Sequence, residues 1–212
     1  MARTRIKICG ITTQEALTGA ANAGADAVGF VFAESSPRYI HPREAWKLAC
    51  DLPPMVSSVG LYVNASLDEF AEIEQQCPTM MTQLHGNEPD GVVIELGPEL
   101  IKAVKFDPET IADRLAHYDA IEEVSVILVD GSEGGEGVAF DWAKLADASR
   151  DIKTPIMLAG GLDASNVGDA IAAVRPYAVD VSSGVESEQG VKDLDKIRAF
   201  CKAVQEADSK TG

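Results

Sequence analysis

Basic residues are scarce in this chain of 212 residues, with 18 Lys and Arg set against 34 Asp and Glu, a formal charge of −16. So acidic a surface argues against a nucleic-acid partner, whose phosphates call for a basic face, and against a polybasic membrane surface. No stretch approaches the roughly 18 consecutive apolar residues of a membrane span. Met1–Gly10 carries Arg3, Arg5 and Lys7 without the apolar run of a signal peptide. The 4 cysteines, Cys9, Cys50, Cys77 and Cys201, lie far apart and form no C-x-x-C pair. Such spacing fits free thiols in a reducing, cytoplasmic setting. With only His41, His85 and His117 and no H-E-x-x-H, no metal site is expected. Neither a Walker A loop nor G-x-G-x-x-G occurs, so no nucleotide cofactor is expected. What is present is an ordinary globular composition, 46% hydrophobic and 25% charged, on a chain long enough for a substantial core.

Short apolar, β-branched runs recur, each followed by a segment of helical period. The strand candidates are Arg5–Cys9, Ala27–Phe32, Val56–Val63, Met80–Leu84, Leu100–Lys105, Val124–Val129, Pro155–Leu158 and Tyr177–Val181. The helical segments are Gln14–Ala23, Pro42–Asp51, Leu67–Gln76, Pro89–Leu96, Pro108–Tyr118, Asp141–Ser149, Ala164–Val174 and Val191–Glu206. Thr12 or Thr13, Ser66 and Asp163 supply cap chemistry, and Pro42 fits a first helical turn. Strand–helix alternation repeated this often predicts an α/β fold, a single (β/α)8 barrel over residues 1–207, with 208–212 as a frayed tail. An open doubly wound sheet is the alternative, although it usually carries fewer strands.

In such a barrel, chemistry belongs to the C-terminal ends of the strands, and alternate side chains point inward. By parity Cys9 stands at the mouth on the same face as Arg5 and Lys7, and Asp130 shares its face with Val126 and Leu128. Cys9 reads either as a small buried hydrophobe or as a base or nucleophile. Asp130 reads either as the opener of a glycine turn or as a carboxylate acid. Gly160-Gly161 and Ser182-Ser183-Gly184, ending the last two strands, form tight turns or a phosphate cradle, where barrels commonly hold phosphate. Arg38 is either a carboxylate clamp or a solvated surface residue. His85 is either a polarising group or a hydrogen-bonded structural histidine. Asp180 shares the inward face and is expected to pair with Lys7 inside the barrel.

Read together, Lys7-Ile8-Cys9-Gly10-Ile11-Thr12, Gly24–Phe32, Ser36–Ile40, Gln83–Gly86, Gly134–Gly137 before Phe140–Trp142, Leu158–Leu162 and Pro176–Glu186 resemble the phosphoribosylanthranilate isomerase family of tryptophan biosynthesis. The resemblance spans nearly the whole chain. It implies a (β/α)8 barrel that carries out an Amadori rearrangement of a small phosphorylated substrate without a cofactor, as a monomer or homodimer. It further implies Asp130 as general acid, Cys9 as general base and Arg38 on the anthranilate carboxylate. Gly160, Gly161, Ser182 and Ser183 receive the phosphate, and His85, Asp180 and Gly184 complete the expected substrate-facing set. Glu133 and Glu136 depart from the family's usual glycine loop, in which a small hydroxyl residue stands near Glu136. The nearest rival is a phosphosugar isomerase of the histidine pathway, which resembles this family but carries Asp at the end of the first strand; Cys9 argues against it. A non-catalytic phosphate-ligand sensor on the same fold is the rival of another class, and the presence of both Cys9 and Asp130 argues against that.

Overall fold

A computed structural model describes residues 3–131 and 141–211, with side-chain detail to residue 210. Eight parallel strands close into a barrel in sequence order: β1 (Arg5–Cys9), β2 (Ala27–Val31), β3 (Ser57–Tyr62), β4 (Met81–Leu84), β5 (Leu100–Lys105), β6 (Val124–Asp130), β7 (Ile156–Ala159) and β8 (Ala178–Val181). The helices alternate with them: α1 (Gln14–Ala23), α2 (Pro42–Cys50), α3 (Leu67–Gln76), α4 (Asp90–Leu96), α5 (Ile111–Asp119), α6 (Trp142–Ala148), α7 (Val167–Val174) and α8 (Leu194–Thr211). The expected barrel is therefore the observed one, and each strand falls within about two residues of its predicted bounds. Among the described residues, no helix is long and apolar enough to cross a membrane.

Local chemistry explains where most helices begin. Thr13 accepts a hydrogen bond from the Ala16 amide at 3.2 Å, Pro42 occupies the first turn of α2, and Ser66 and Glu69 form a reciprocal capping box. Three predicted starts are corrected. Pro108 lies in a turn in which the Thr110 amide donates to the Asp107 carbonyl at 3.2 Å, and α5 begins only at Ile111. Asp163 accepts from the Ser165 amide at 2.7 Å in a turn ahead of α7, which begins only at Val167. Val191 is not helical: Glu186–Glu188 (β9) and Val191–Lys192 (β10) form a hairpin, and α8 starts after Asp193, whose carboxylate accepts from the Lys196 amide at 3.0 Å. α8 runs through Thr211, past residue 208, where the tail was expected to begin. Asp208 accepts from the Thr4 amide and hydroxyl at 2.8 and 2.7 Å, tying the last helix to the start of β1.

Strand parity sorts the core into two layers. Ile6, Ile8, Val28, Val104, Ile127 and Leu158 point outward into the shell between strands and helices. Val59, Ile101, Ala103, Val126, Leu128, Met157 and Ala178 fill the barrel itself. Two buried lysines, Lys7 within the barrel and Lys102 in the outer shell on the face of Leu100 and Val104, are each paired. Lys7 and Asp180, direct neighbours across the β1–β8 seam, meet at 2.8 Å. Lys102 on β5 meets Glu88 at 2.6 Å and donates to the Gly86 carbonyl at 2.8 Å, while Glu88 accepts from the Asn64 and Gly86 amides, both at 2.9 Å. The loops after β3 and β4 are thus anchored from beneath by one ion pair.

Removing one partner of such a pair strands a buried charge, which costs about 3–5 kcal/mol. Lys102→Met is therefore expected to lower unfolding free energy by about that amount in urea titration, and adding Glu88→Gln is expected to recover part of the loss.

Candidate active site at the barrel mouth

A cavity of about 560 Å³ opens at the C-terminal ends of the strands, lined by Cys9, Arg38, His85, Asp130, Gly160, Gly161, Asp180, Ser182 and Ser183, among others. Of the ten expected site residues only Gly184 is absent from its walls. A Cβ at Gly184 would collide with the Leu162 carbonyl oxygen, so this glycine lets the loops after β7 and β8 touch rather than facing a ligand. Gly160 and Gly161 both take left-handed backbone angles, with φ of +88° and +65°, which lay an open backbone along the cavity wall. Ser182 donates its hydroxyl to the Cys9 carbonyl at 3.1 Å and so joins the two strand ends that meet at the seam.

Cys9 ends β1 at 5% exposure, packed with Val31 and Leu61. Its neighbour across the sheet is Gly29, where a Cβ would lie 2.9 Å from the Cys9 sulfur and 3.1 Å from the Lys7 ammonium. The space above Gly29 is therefore where the two side chains converge. Burial pushes the Cys9 thiol up from its ordinary range, while the ammoniums of Lys7 and Lys192 pull the other way. Asp130 ends β6, with β7 and β8 standing between it and Cys9 around the barrel. His85 Nε2 lies 3.2 Å from the Asp130 carboxylate, and the His85 Nδ1 lies 2.9 Å from the amide nitrogen of fully buried Gln83. His85 thus bridges Gln83 and Asp130, with its Nε2 turned to the carboxylate.

Arg38 lines the cavity and is also half of an ion pair the sequence did not suggest. Its Nε and one terminal nitrogen donate to Glu186 at 2.7 and 2.8 Å, which leaves part of the guanidinium fork uncommitted. Glu186 further accepts from Lys192 at 2.8 Å, and Lys192 donates to the Ser182 carbonyl at 3.0 Å. Asp180 lines the cavity floor, but its Oδ1 is committed to Lys7. Lys105 at the end of β5 and Arg114 on α5 also line the cavity, and neither stood out in the sequence because each is a lone cation in an otherwise ordinary element. Gly134, Gly135 and Gly137, with Glu133 and Glu136, lie outside the described residues.

A parallel barrel with a thiol and a carboxylate at its mouth, and open backbone and hydroxyls between them, defines a class: barrel enzymes that act on small phosphorylated molecules by acid–base chemistry. Comparison with known proteins narrows it. Residues 6–203 match the family model described as N-(5′-phosphoribosyl)anthranilate (PRA) isomerase, and the chain belongs to that family. An N-(5′-phosphoribosyl)anthranilate isomerase of Pseudomonas putida (strain W619) is 46% identical over 209 residues, covering 98% of this chain and 100% of that protein. The crystal structure of the Thermotoga maritima phosphoribosyl anthranilate isomerase is 40% identical with a TM-score of 0.87, over 96% of this chain and 99% of that one. A second solved phosphoribosyl anthranilate isomerase, in complex with reduced 1-(o-carboxyphenylamino)-1-deoxyribulose 5-phosphate, is 39% identical with a TM-score of 0.83, over 96% and 99% of the two chains.

Glu186 offers a test of the network around this mouth. Its two cationic partners hold its carboxyl at about 2, below the ordinary glutamate value. A depressed carboxylate contributes stability above its unfolded pKa of about 4.3 and loses it as pH falls toward the folded value. Melting temperature is expected to drop more steeply between about pH 4.5 and pH 2 in the parent protein than in Glu186→Gln, as followed by circular dichroism.

Proposed function

We propose that this chain converts N-(5′-phosphoribosyl)anthranilate into 1-(2-carboxyphenylamino)-1-deoxyribulose 5-phosphate, an Amadori rearrangement in tryptophan biosynthesis, by acid–base catalysis without a cofactor. The observation that carries this reading is the placement of Cys9 and Asp130 on one cavity, with the Gly160-Gly161 and Ser182-Ser183 turns between them. Family membership and the product-like ligand in a solved relative support it.

The reaction divides between the two side chains. Asp130 protonates the furanose ring oxygen, and the C1′–O bond breaks as the anthranilate nitrogen supplies its electron pair to form a protonated Schiff base. The hydrogen bond from His85 Nε2 receives the carboxylate left behind. The Cys9 thiolate then removes the C2′ proton; the released pair forms the C1′–C2′ double bond and neutralises the nitrogen. The resulting enolamine tautomerises to the ketone, taking a proton at C1′ and losing one from the C2′ hydroxyl. The phosphate rests on the backbone and hydroxyl donors of Gly160, Gly161, Ser182 and Ser183, and the substrate carboxylate on the uncommitted part of Arg38.

Each proton transfer is worth about 10²–10⁴-fold in rate. Cys9→Ala and Asp130→Asn are each expected to lower kcat by that range or more with unchanged melting temperature, measured by the loss of phosphoribosylanthranilate fluorescence; full activity in either variant would remove its assigned role. Arg38→Ala is expected chiefly to raise KM, and an unchanged KM would remove the carboxylate contact.

A further inference from the structure

Five charged groups crowd the seam beneath and beside Cys9. Lys7 rises from β1, Asp180 from β8, Lys192 and Glu186 from the β9–β10 hairpin, and Arg38 from the loop after β2. Asp130 and His85 face Cys9 from farther round the same cavity. The Lys7 and Lys192 side chains are each 1% exposed, so neither charge is relaxed by water. Three cations, of which Arg38 is partly exposed, against two carboxylates leave this set one positive charge in excess while Cys9 is a neutral thiol. Ionising Cys9 brings the set to neutrality, and a buried charge is tolerated only when it is matched. The converging space above Gly29, into which any side chain would intrude on both the Cys9 sulfur and the Lys7 ammonium, keeps this contact open.

We infer that Lys7 and Lys192 are positioning residues that make the Cys9 thiolate attainable in its buried place, each held in turn by a carboxylate of its own, Asp180 and Glu186. The inference rests on the reading of Cys9 as the base. Burial and the Asp180 charge raise the thiol, and the two ammoniums oppose them, so deleting either ammonium raises it further. Neither lysine needs to touch the substrate. Lys7 acts from below, through the floor of the cavity, and Lys192 acts from the side, through the hairpin that also holds Ser182.

The test reads the sulfur rather than turnover. Iodoacetamide reacts only with the ionised thiol: the thiolate forms the S–C bond as the C–I bond breaks and iodide leaves. The rate of carbamidomethylation at Cys9, followed by mass spectrometry of its peptide so that exposed Cys50 does not interfere, is measured against pH in the folded full-length protein. Lys192→Met, in which Glu186 keeps Arg38, is compared with the parent, and Lys7→Met/Asp180→Asn with Asp180→Asn, so that each comparison removes one ammonium and no carboxylate. In each variant the midpoint is expected to move to higher pH by about a unit, a rate about tenfold lower at any pH below both midpoints. Lys192→Arg is expected to restore the parent profile. An unchanged midpoint in a variant that keeps its circular dichroism spectrum overturns the role of the cation it lacks. The isomerase reading stands or falls separately: normal turnover by Cys9→Ala removes Cys9 as the base whatever the alkylation profile shows.

Discussion

The barrel closes where β1 meets β8, and the Lys7–Asp180 ion pair lies across that seam as a directly opposed pair in the register. Everything at the mouth is built around it. Two residues farther along the same strands, Cys9 and Ser182 end β1 and follow β8, joined by the hydroxyl-to-carbonyl bond that fixes one strand end against the other. A charged pair in a dry interior contributes little net stability, because desolvation offsets most of the attraction, yet breaking it is costly. Its role is therefore one of placement. It admits an ammonium to the barrel interior immediately below the thiol, which an apolar pair of the same volume would not do.

Strand parity makes much of the site legible in the sequence. A period of two places Cys9, Asp130, Gln83 and His85 on the inner face and Ile6 and Ile8 on the outer one, and the two core layers follow that division. Helix starts were legible where the cap is a side chain close to its own helix, as at Thr13 and Ser66. What escaped was non-local. Glu186 meets Arg38 across 148 residues of sequence, and no periodicity announces such a partner. The β9–β10 hairpin escaped because its strands are 3 and 2 residues long, too short to show alternation, and only Gly190 at φ +84° marks the turn. Lys192, in a segment of helical period, instead stands on this hairpin and reaches back to Ser182 and Glu186. Gly184, expected to face the substrate, instead serves loop-to-loop contact, which its place in the sequence does not announce.

The charge of −16 takes on a specific arrangement. Acidic residues crowd the outer helices, as along α3, where Asp68, Glu69 and Glu72 are exposed. Among the described residues that line the cavity the balance reverses, with Arg38, Lys105 and Arg114 against Asp130 and Asp180. Exposed acids far from the mouth are screened within a Debye length of about 8 Å at physiological ionic strength, whereas charges set in a low-dielectric wall are felt at close range. A doubly anionic ligand thus meets repulsion that salt largely removes at a distance and attraction that survives within the cavity. The same asymmetry bears on the thiol. Were the acidity of the outer helices to reach the seam, it would hold Cys9 protonated; the buried ammoniums of Lys7 and Lys192 oppose that effect. The excess of acid outside and the excess of base inside are consequently compatible, because the barrel wall that separates them is the low-dielectric medium that keeps the inner set effective.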